Sequence, residues 1–228
     1  MGNGTETETL ADAIRMLERL GIIDFNGHCS ARLADGAILV NSGRSVRSAL
    51  TVDDIVAIDG DGRLLRGDVP PPLEVHIHTE IYRRRPEVAA IVHAHPTWST
   101  LFTMTGRRLE PVFAQGALLG RLPVFDSPLS INTRDLGERV AERLGAARGI
   151  LLPSHGAVVV GADIVEAFVL TVYLEQNAQR QYAAESLGVP YAFSDAEVDA
   201  CRRTLFKRSL FAKCWAYYAA KFGPGAPT

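Results

Sequence analysis

The run AAIVHAHP, residues 89–96, constrains the fold more than any other stretch of the chain. It is apolar, rich in β-branched side chains and closed by proline. Such a run is too brief for a buried helix and suits a strand covered on both faces. GILLPSHGAVVVGAD, residues 149–163, reads as two more strands hinged at residues 153–156, where proline and small residues let the backbone turn. Strands of this kind need helices above and below them. The segments between them have helical periodicity, without the strict β-α alternation and glycine fingerprint of a dinucleotide fold. The reading is one α/β domain with a central, largely antiparallel sheet and helices on both sides.

The rest of the chain fills in that frame. HCSARLADGAILVNS reads as a hairpin around Asp35-Gly36, residues 55–59 as a strand before a Gly-Asp-Gly turn, and GRLPVFDS as a further short strand. Thr9 is placed to cap a first helix that Gly21 stops. Helices are also expected in the proline-led VPPPLEVHIHTEIYRRRP, in TWSTLFTMTG up to Gly106, and in TRDLGERVAERLGAA. A long helix follows Asp163, and one last helix spans residues 194–223. Residues 1–228 form a single domain in this reading, with loose ends at about 1–8 and 223–228.

Composition excludes several classes. The 228 residues are 47% hydrophobic and 22% charged, with a formal net charge of −2. That is a chain with a real core and no field to draw it to nucleic acid or anionic lipid. No apolar run reaches the ~18 residues of a membrane span. Three cysteines, Cys29, Cys201 and Cys214, make neither a disulfide framework nor a zinc-finger spacing. With no basic and apolar leader at the N-terminus, the expected compartment is the cytoplasm.

In a strand, residues two apart share a face, so His93 and His95 present two imidazoles to one side. Neutral imidazoles so placed can bind a metal. A catalytic site for a divalent ion needs about three protein ligands and an open position. His155, at the end of a second apolar strand, is the best third ligand. Glu74, at the start of the proline-led helix, is the best carboxylate, because the helix dipole favours its ionised form.

Glu74 with His78 four residues on, RRRPEVAAIVHAHP and LLPSHGAVVVGADIVEAF together resemble the class II aldolase/adducin family. NGHCSARL, LVNSGRSV and TVDDIVAIDGDG fit its leading segments in the same order, and the resemblance runs over about residues 11–187. It implies a three-layer α/β/α sandwich and a homotetramer with active sites between subunits. It also implies one divalent ion per subunit held by His93, His95 and His155, with Glu74 as acid/base residue, either free or as a fourth ligand. Zinc is the expected ion, and Mn2+, Fe2+ and Co2+ suit the same donors.

The chain departs from the sugar-phosphate members where they bind phosphate. It reads Gly27-His28-Cys29-Ser30, Ser42-Gly43 and Pro72-Leu73, so a serine pair before the glutamate is gone. A phosphate dianion needs many donors. His28, Ser42, Gly43, Arg44 and Arg47 are instead expected to hold a carboxylate. Where the aldolases offer a tyrosine as proton donor, LEPVFAQGALLG offers Phe113; Tyr217 or Tyr218 of the last helix is the expected substitute, and His76 a further candidate for the pocket. Looser resemblance to dihydroxyphthalate-type decarboxylases fits these departures. The expected activity is metal-dependent decarboxylation of a non-phosphorylated hydroxylated aromatic acid through a stabilised carbanion. Alternatives are aldol cleavage or epimerisation of a sugar phosphate such as fuculose 1-phosphate, an oxygenase, and a non-catalytic adducin-like scaffold.

Overall fold

Alternation along the strands decides the layering. Cys29, Leu39, Ala57, Val92 and Val159 point to one face of a sheet. Val40, Val56, Ile91, Val158 and Val160 point to the other. The computed structural model describes residues 3–222. Its seven strands are β1 (His28–Arg32), β2 (Ile38–Asn41), β3 (Ile55–Ile58), β4 (Leu64–Arg66), β5 (Ala90–Ala94), β6 (Gly149–Leu152) and β7 (Gly156–Gly161). They lie in the order β4-β3-β2-β1-β5-β7-β6, and every ladder is antiparallel.

The helices are α1 (Asn3–Arg19), α2 (Val75–Arg84), α3 (Thr97–Thr103), α4 (Arg134–Leu144), α5 (Ile164–Glu185), α6 (Asp195–Leu205) and α7 (Arg208–Phe222). Leu10 and Leu17 of α1, Phe168 of α5 and Phe211 of α7 fill the core under one face. Ile77 and Ile81 of α2 with Val140 and Leu144 of α4 fill the core under the other. The result is the expected α/β/α sandwich with β5 near its middle. Asp163 caps α5 by accepting from the Glu166 N–H at 2.8 Å, as the sequence suggests. Among the described residues no helix is long and apolar enough to cross a membrane.

Several boundaries differ from the sequence reading. Helix α1 begins at Asn3, so Thr9 is not its cap and residues 3–8 are helical rather than loose. The expected loose segment 223–228 lies outside the described residues. GRLPVFDS forms no ladder: Val124 makes one parallel bridge to Leu151 at the sheet edge, beside Pro123, which has no N–H to extend it. Helix α3 stops at Thr103. The last helix is two, because Phe206 leaves helical backbone at ψ 76°. Its ring packs edge-on against Phe211 and under the Arg148 guanidinium, contacts a straight helix would not make.

Candidate active site

Three chain reversals deliver the site. Strand β5 runs out at His95-Pro96, and α2 starts just after Glu74, which occupies its N-cap position rather than its first turn. The β6–β7 hairpin turns over Pro153-Ser154-His155, with Ser154 in the left-handed region at φ 52°. That strained residue is held by its N–H donating to Thr103 Oγ1 at 2.8 Å. Gly156 follows because nothing larger fits: a Cβ there would stand 2.2 Å from the Ala94 carbonyl oxygen. The turn therefore seats His155 hard against the end of β5.

Ligand atoms of Glu74, His93, His95 and His155 all lie within 4.8 Å of one another. His93 Nε2 is 3.2 Å from His95 Nε2 and 3.3 Å from Glu74 Oε2. His155 Nε2 is 3.6 Å from Glu74 Oε1. A tetrahedron with ligand distances of about 2.1 Å has edges of roughly 3.4 Å. The spacing thus suits one divalent ion.

Hydrogen bonding gives an independent argument. His93 Nδ1 donates to the Ala157 carbonyl at 3.1 Å, and His95 Nδ1 donates to the Asp24 carboxylate at 2.9 Å. Neither oxygen can donate, so both imidazoles carry their proton on Nδ1 and turn bare Nε2 lone pairs toward each other. Burial pushes the His93 imidazole down to about 3, so it is neutral, as a metal ligand must be. Lone pairs facing each other and a carboxylate repel unless a cation lies between them. The pairing of His95 with Asp24 is the carboxylate–imidazole arrangement that orients metal-binding histidines.

Burial raises the Glu74 carboxyl, but interaction with the His155 and His28 imidazoles outweighs this and holds it below the usual carboxylate range. Its Oε1 also accepts from Ser130 Oγ at 2.9 Å and from the Ile131 N–H at 2.7 Å. Glu74 is thus a carboxylate tethered through Oε1, with Oε2 turned to His93 and His28.

A cleft of about 760 Å³ opens beside this cluster. Its walls are of two kinds. Pro71, Pro72, Leu73 and Pro128 form an apolar shelf. The other wall is polar and carries Asp24, Asn26, an exposed Arg44 and Arg47, which is 4% exposed. Arg47 donates to the carbonyls of Gly27 (2.8 Å), Asn26 (3.3 Å) and Ser45 and to Ser45 Oγ. It has no carboxylate partner among the described residues, and burial lowers its pKa.

The structure brings together most of the residues singled out from sequence, but not all. Glu74, His93, His95 and His155 converge, and His28, Gly43, Arg44 and Arg47 line or border the cleft. Ser42 does not line it: its N–H donates to the Asp54 carbonyl and its own carbonyl accepts from Ser45, so it is spent on the turn. His76 faces α4, where its backbone and Cβ crowd Gly137, and not the cleft. Tyr217 is 58% exposed on α7 and lines no part of this chain's cleft. The His78 side chain reaches His28 and Ser30. Asp24, Ser130 and Ser154 were not foreseen. No spacing rule could find them, since Asp24 is 71 positions from the histidine it orients.

Residues 8–182 match the family model for the class II aldolase and adducin N-terminal domain. An L-fuculose phosphate aldolase of Methanococcus maripaludis is 27% identical over 79% of this chain and 98% of its own length. A 3,4-dihydroxyphthalate decarboxylase of Terrabacter sp. is 26% identical over 97% of this chain and 99% of its own. The solved structure of an L-fuculose 1-phosphate aldolase from Glaciozyma antarctica superposes with a TM-score of 0.83 at 22% identity, over 98% of this chain and 92% of that one.

Proposed function

The chain belongs to the class II aldolase and adducin family, and from that premise we propose a divalent-metal-dependent carbon–carbon lyase that decarboxylates a hydroxylated aromatic carboxylic acid. The apolar shelf beside Glu74 carries this reading. Sugar-phosphate chemistry would call for hydroxyl and N–H donors where this chain has Pro71, Pro72 and Leu73. A flat ring stacks on such a shelf, and prolines offer no N–H to a phosphate. Similarity along nearly the whole chain to a protein named as a dihydroxyphthalate decarboxylase supports the same choice.

His93, His95 and His155 hold the ion, with Glu74 as its fourth ligand or as a free base. When bound, the ion supplies Lewis acidity at a substrate oxygen. Arg47 and Arg44 face the substrate carboxylates, and the desolvated Arg47, which forms no ion pair among the described residues, gains a direct ionic partner when an anion binds. Glu74, ionised and beside the ligand set, takes the proton of the substrate hydroxyl. When carbon dioxide leaves, the ring carbon keeps the bonding electron pair. Glu74 returns the proton to that carbon, and the product oxygen is reprotonated from solvent. The shelf excludes water from the ring carbon.

We further propose zinc as the resident ion, a homotetramer with sites near subunit boundaries, a single domain over residues 1–228 and a cytoplasmic setting. A neutral three-imidazole set with one carboxylate supports zinc and also suits iron, manganese or cobalt.

A second reading is aldol cleavage of a sugar phosphate, favoured by similarity to proteins named as fuculose phosphate aldolases. Metal analysis of the purified protein, with a carbon dioxide release screen over hydroxylated benzoic and phthalic acids, separates the two. We expect about one ion per chain and release from an ortho-hydroxylated acid. Cleavage of fuculose 1-phosphate with no carbon dioxide from any acid would favour the aldolase reading instead. His95→Ala should lose ion and turnover together. Glu74→Gln should keep the ion and lose turnover by about 10²–10⁴-fold; full activity in that variant would remove Glu74 from the proton path.

A further inference from the structure

A buried file of polar groups leads away from the cleft along the α2 face of the sheet. His28 sits opposite His93 in the β1–β5 register. Its Nδ1 lies 2.7 Å from His78 Nε2. His78 Nδ1 lies 2.6 Å from Ser30 Oγ, which lies 2.8 Å from the Tyr82 hydroxyl. All four side chains are buried. Each of these contacts needs one proton between its two atoms.

Imidazoles buried this fully are neutral, with one N–H each. The file can therefore run in two directions; a third arrangement, in which Tyr82 and His78 both donate to Ser30 Oγ, leaves the buried Ser30 hydrogen unpaired and is unfavourable for that reason. In the first, Tyr82 donates to Ser30, Ser30 to His78 Nδ1, and His78 Nε2 to His28 Nδ1. His28 is then left with its proton on Nε2. In the second, every proton is reversed. The reversed file strands the Tyr82 hydroxyl hydrogen, whose hydrogen-bond partner among the described residues is Ser30 alone. It also turns a His28 lone pair on the ionised Glu74 carboxylate, 3.8 Å away. An orphaned buried hydroxyl and a lone pair against a negative charge are both unfavourable. The first direction has neither defect.

His28 Nε2 is itself buried and without a hydrogen-bond partner, and His28 lines the cleft. Its neighbour of opposite charge, Glu74 Oε2, lies at 3.8 Å, beyond hydrogen-bond reach, so the N–H still calls for an acceptor, and the cleft is where one can arrive. We propose that the file Tyr82–Ser30–His78 locks His28 as a neutral Nε2–H donor aimed at an oxygen acceptor of the substrate, a carboxylate or phenolate oxygen. Ser30, His78 and Tyr82 are positioning residues, since they act through His28. The nature of the acceptor rests on the lyase reading; the direction of the file does not.

The test uses zinc-loaded protein carrying 15N-labelled histidine. NMR should find His28 protonated at Nε2 and bare at Nδ1, with a coupling across the hydrogen bond from Nδ1 to His78 Nε2. A proton on His28 Nδ1, or a doubly protonated ring, would overturn the proposal. The second arm measures binding of 3,4-dihydroxybenzoate. Ser30→Ala should weaken it by about tenfold, Ser30→Thr should restore it, and zinc stoichiometry should not change in either. Equal binding by wild type and Ser30→Ala would remove the file from ligand positioning. Because the tautomer is read without substrate, a failed carbon dioxide screen would sink the lyase reading and leave this result standing.

Discussion

Asp24 is placed to act on a bound ion through His95, and its contribution can be isolated. Its carboxylate fixes the tautomer and angle of His95 through two contacts at 2.9 and 3.0 Å. Asp24→Asn keeps the shape and removes the charge. We expect zinc affinity to fall about 10–100-fold, measured against a competing chelator, with the far-ultraviolet spectrum unchanged. Acid should also act through the buried imidazoles of the α2 face. Burial holds His28 below its ordinary value of 6.5 and His78 well below it. The unfolded chain takes up these protons near that value and the folded chain does not, so stability present above it is lost as pH falls. The slope approaches about 1.4 kcal/mol per pH unit for each group. Urea midpoints of metal-free protein at pH 7.5, 6.0 and 5.0 should drop steeply, and His78→Gln should flatten the trend. These partners explain why the site was only half legible. His93 and His95 announce themselves because a two-residue spacing puts them on one face of a strand. Asp24, Ser130 and the His78–Ser30–Tyr82 file depend on which loop or helix crosses a strand end, and no local pattern encodes that.

The β6–β7 hairpin is the element whose geometry the site can least spare. It brings His155 from a distant part of the chain to the end of β5, and Gly156 makes the approach possible. In Gly156→Ala the new methyl would meet the Ala94 carbonyl at 2.2 Å and His95 Cδ2 at 3.0 Å. The nearest atom belongs to the Ala94 backbone, which cannot swing aside as a flexible side chain could, so β7 must part from β5. We expect a loss of about 2–4 kcal/mol in denaturant unfolding, together with reduced zinc occupancy. Gly106→Ala, where nothing lies within 4 Å, is the control and should be nearly neutral. This hairpin was readable from sequence, because apolar runs flank a proline–glycine turn. The break between α6 and α7 was not. Leu205, Phe206, Lys207 and Arg208 all tolerate helix, and no glycine or proline marks the corner. Packing of Phe206 on Phe211 decides it, and tertiary contacts of that kind override propensity without leaving a local signature.

A folded chain that leaves many large apolar side chains in water suggests a covered surface elsewhere. Tyr182, Leu187, Val189 and Tyr191 cluster at the end of α5 and in the loop beyond it, with Leu187 91% and Val189 98% exposed. Phe25 and Leu73 lie near the mouth of the cleft and are 79% and 84% exposed. Exposed large apolar residues grouped along the chain in this way are candidates for a contact surface. Both would be buried together if the cleft of one subunit were completed by a neighbour, as in the proposed tetramer. Sedimentation velocity of the wild-type protein should then report an assembly larger than one chain. Leu187→Glu with Val189→Glu places two charges where association must exclude water, and should shift the species toward monomer. If the loop at α5 forms a contact, the double variant should lose turnover in step with assembly while zinc binding persists, since no metal ligand is touched. An unaltered sedimentation profile would place this loop outside any interface.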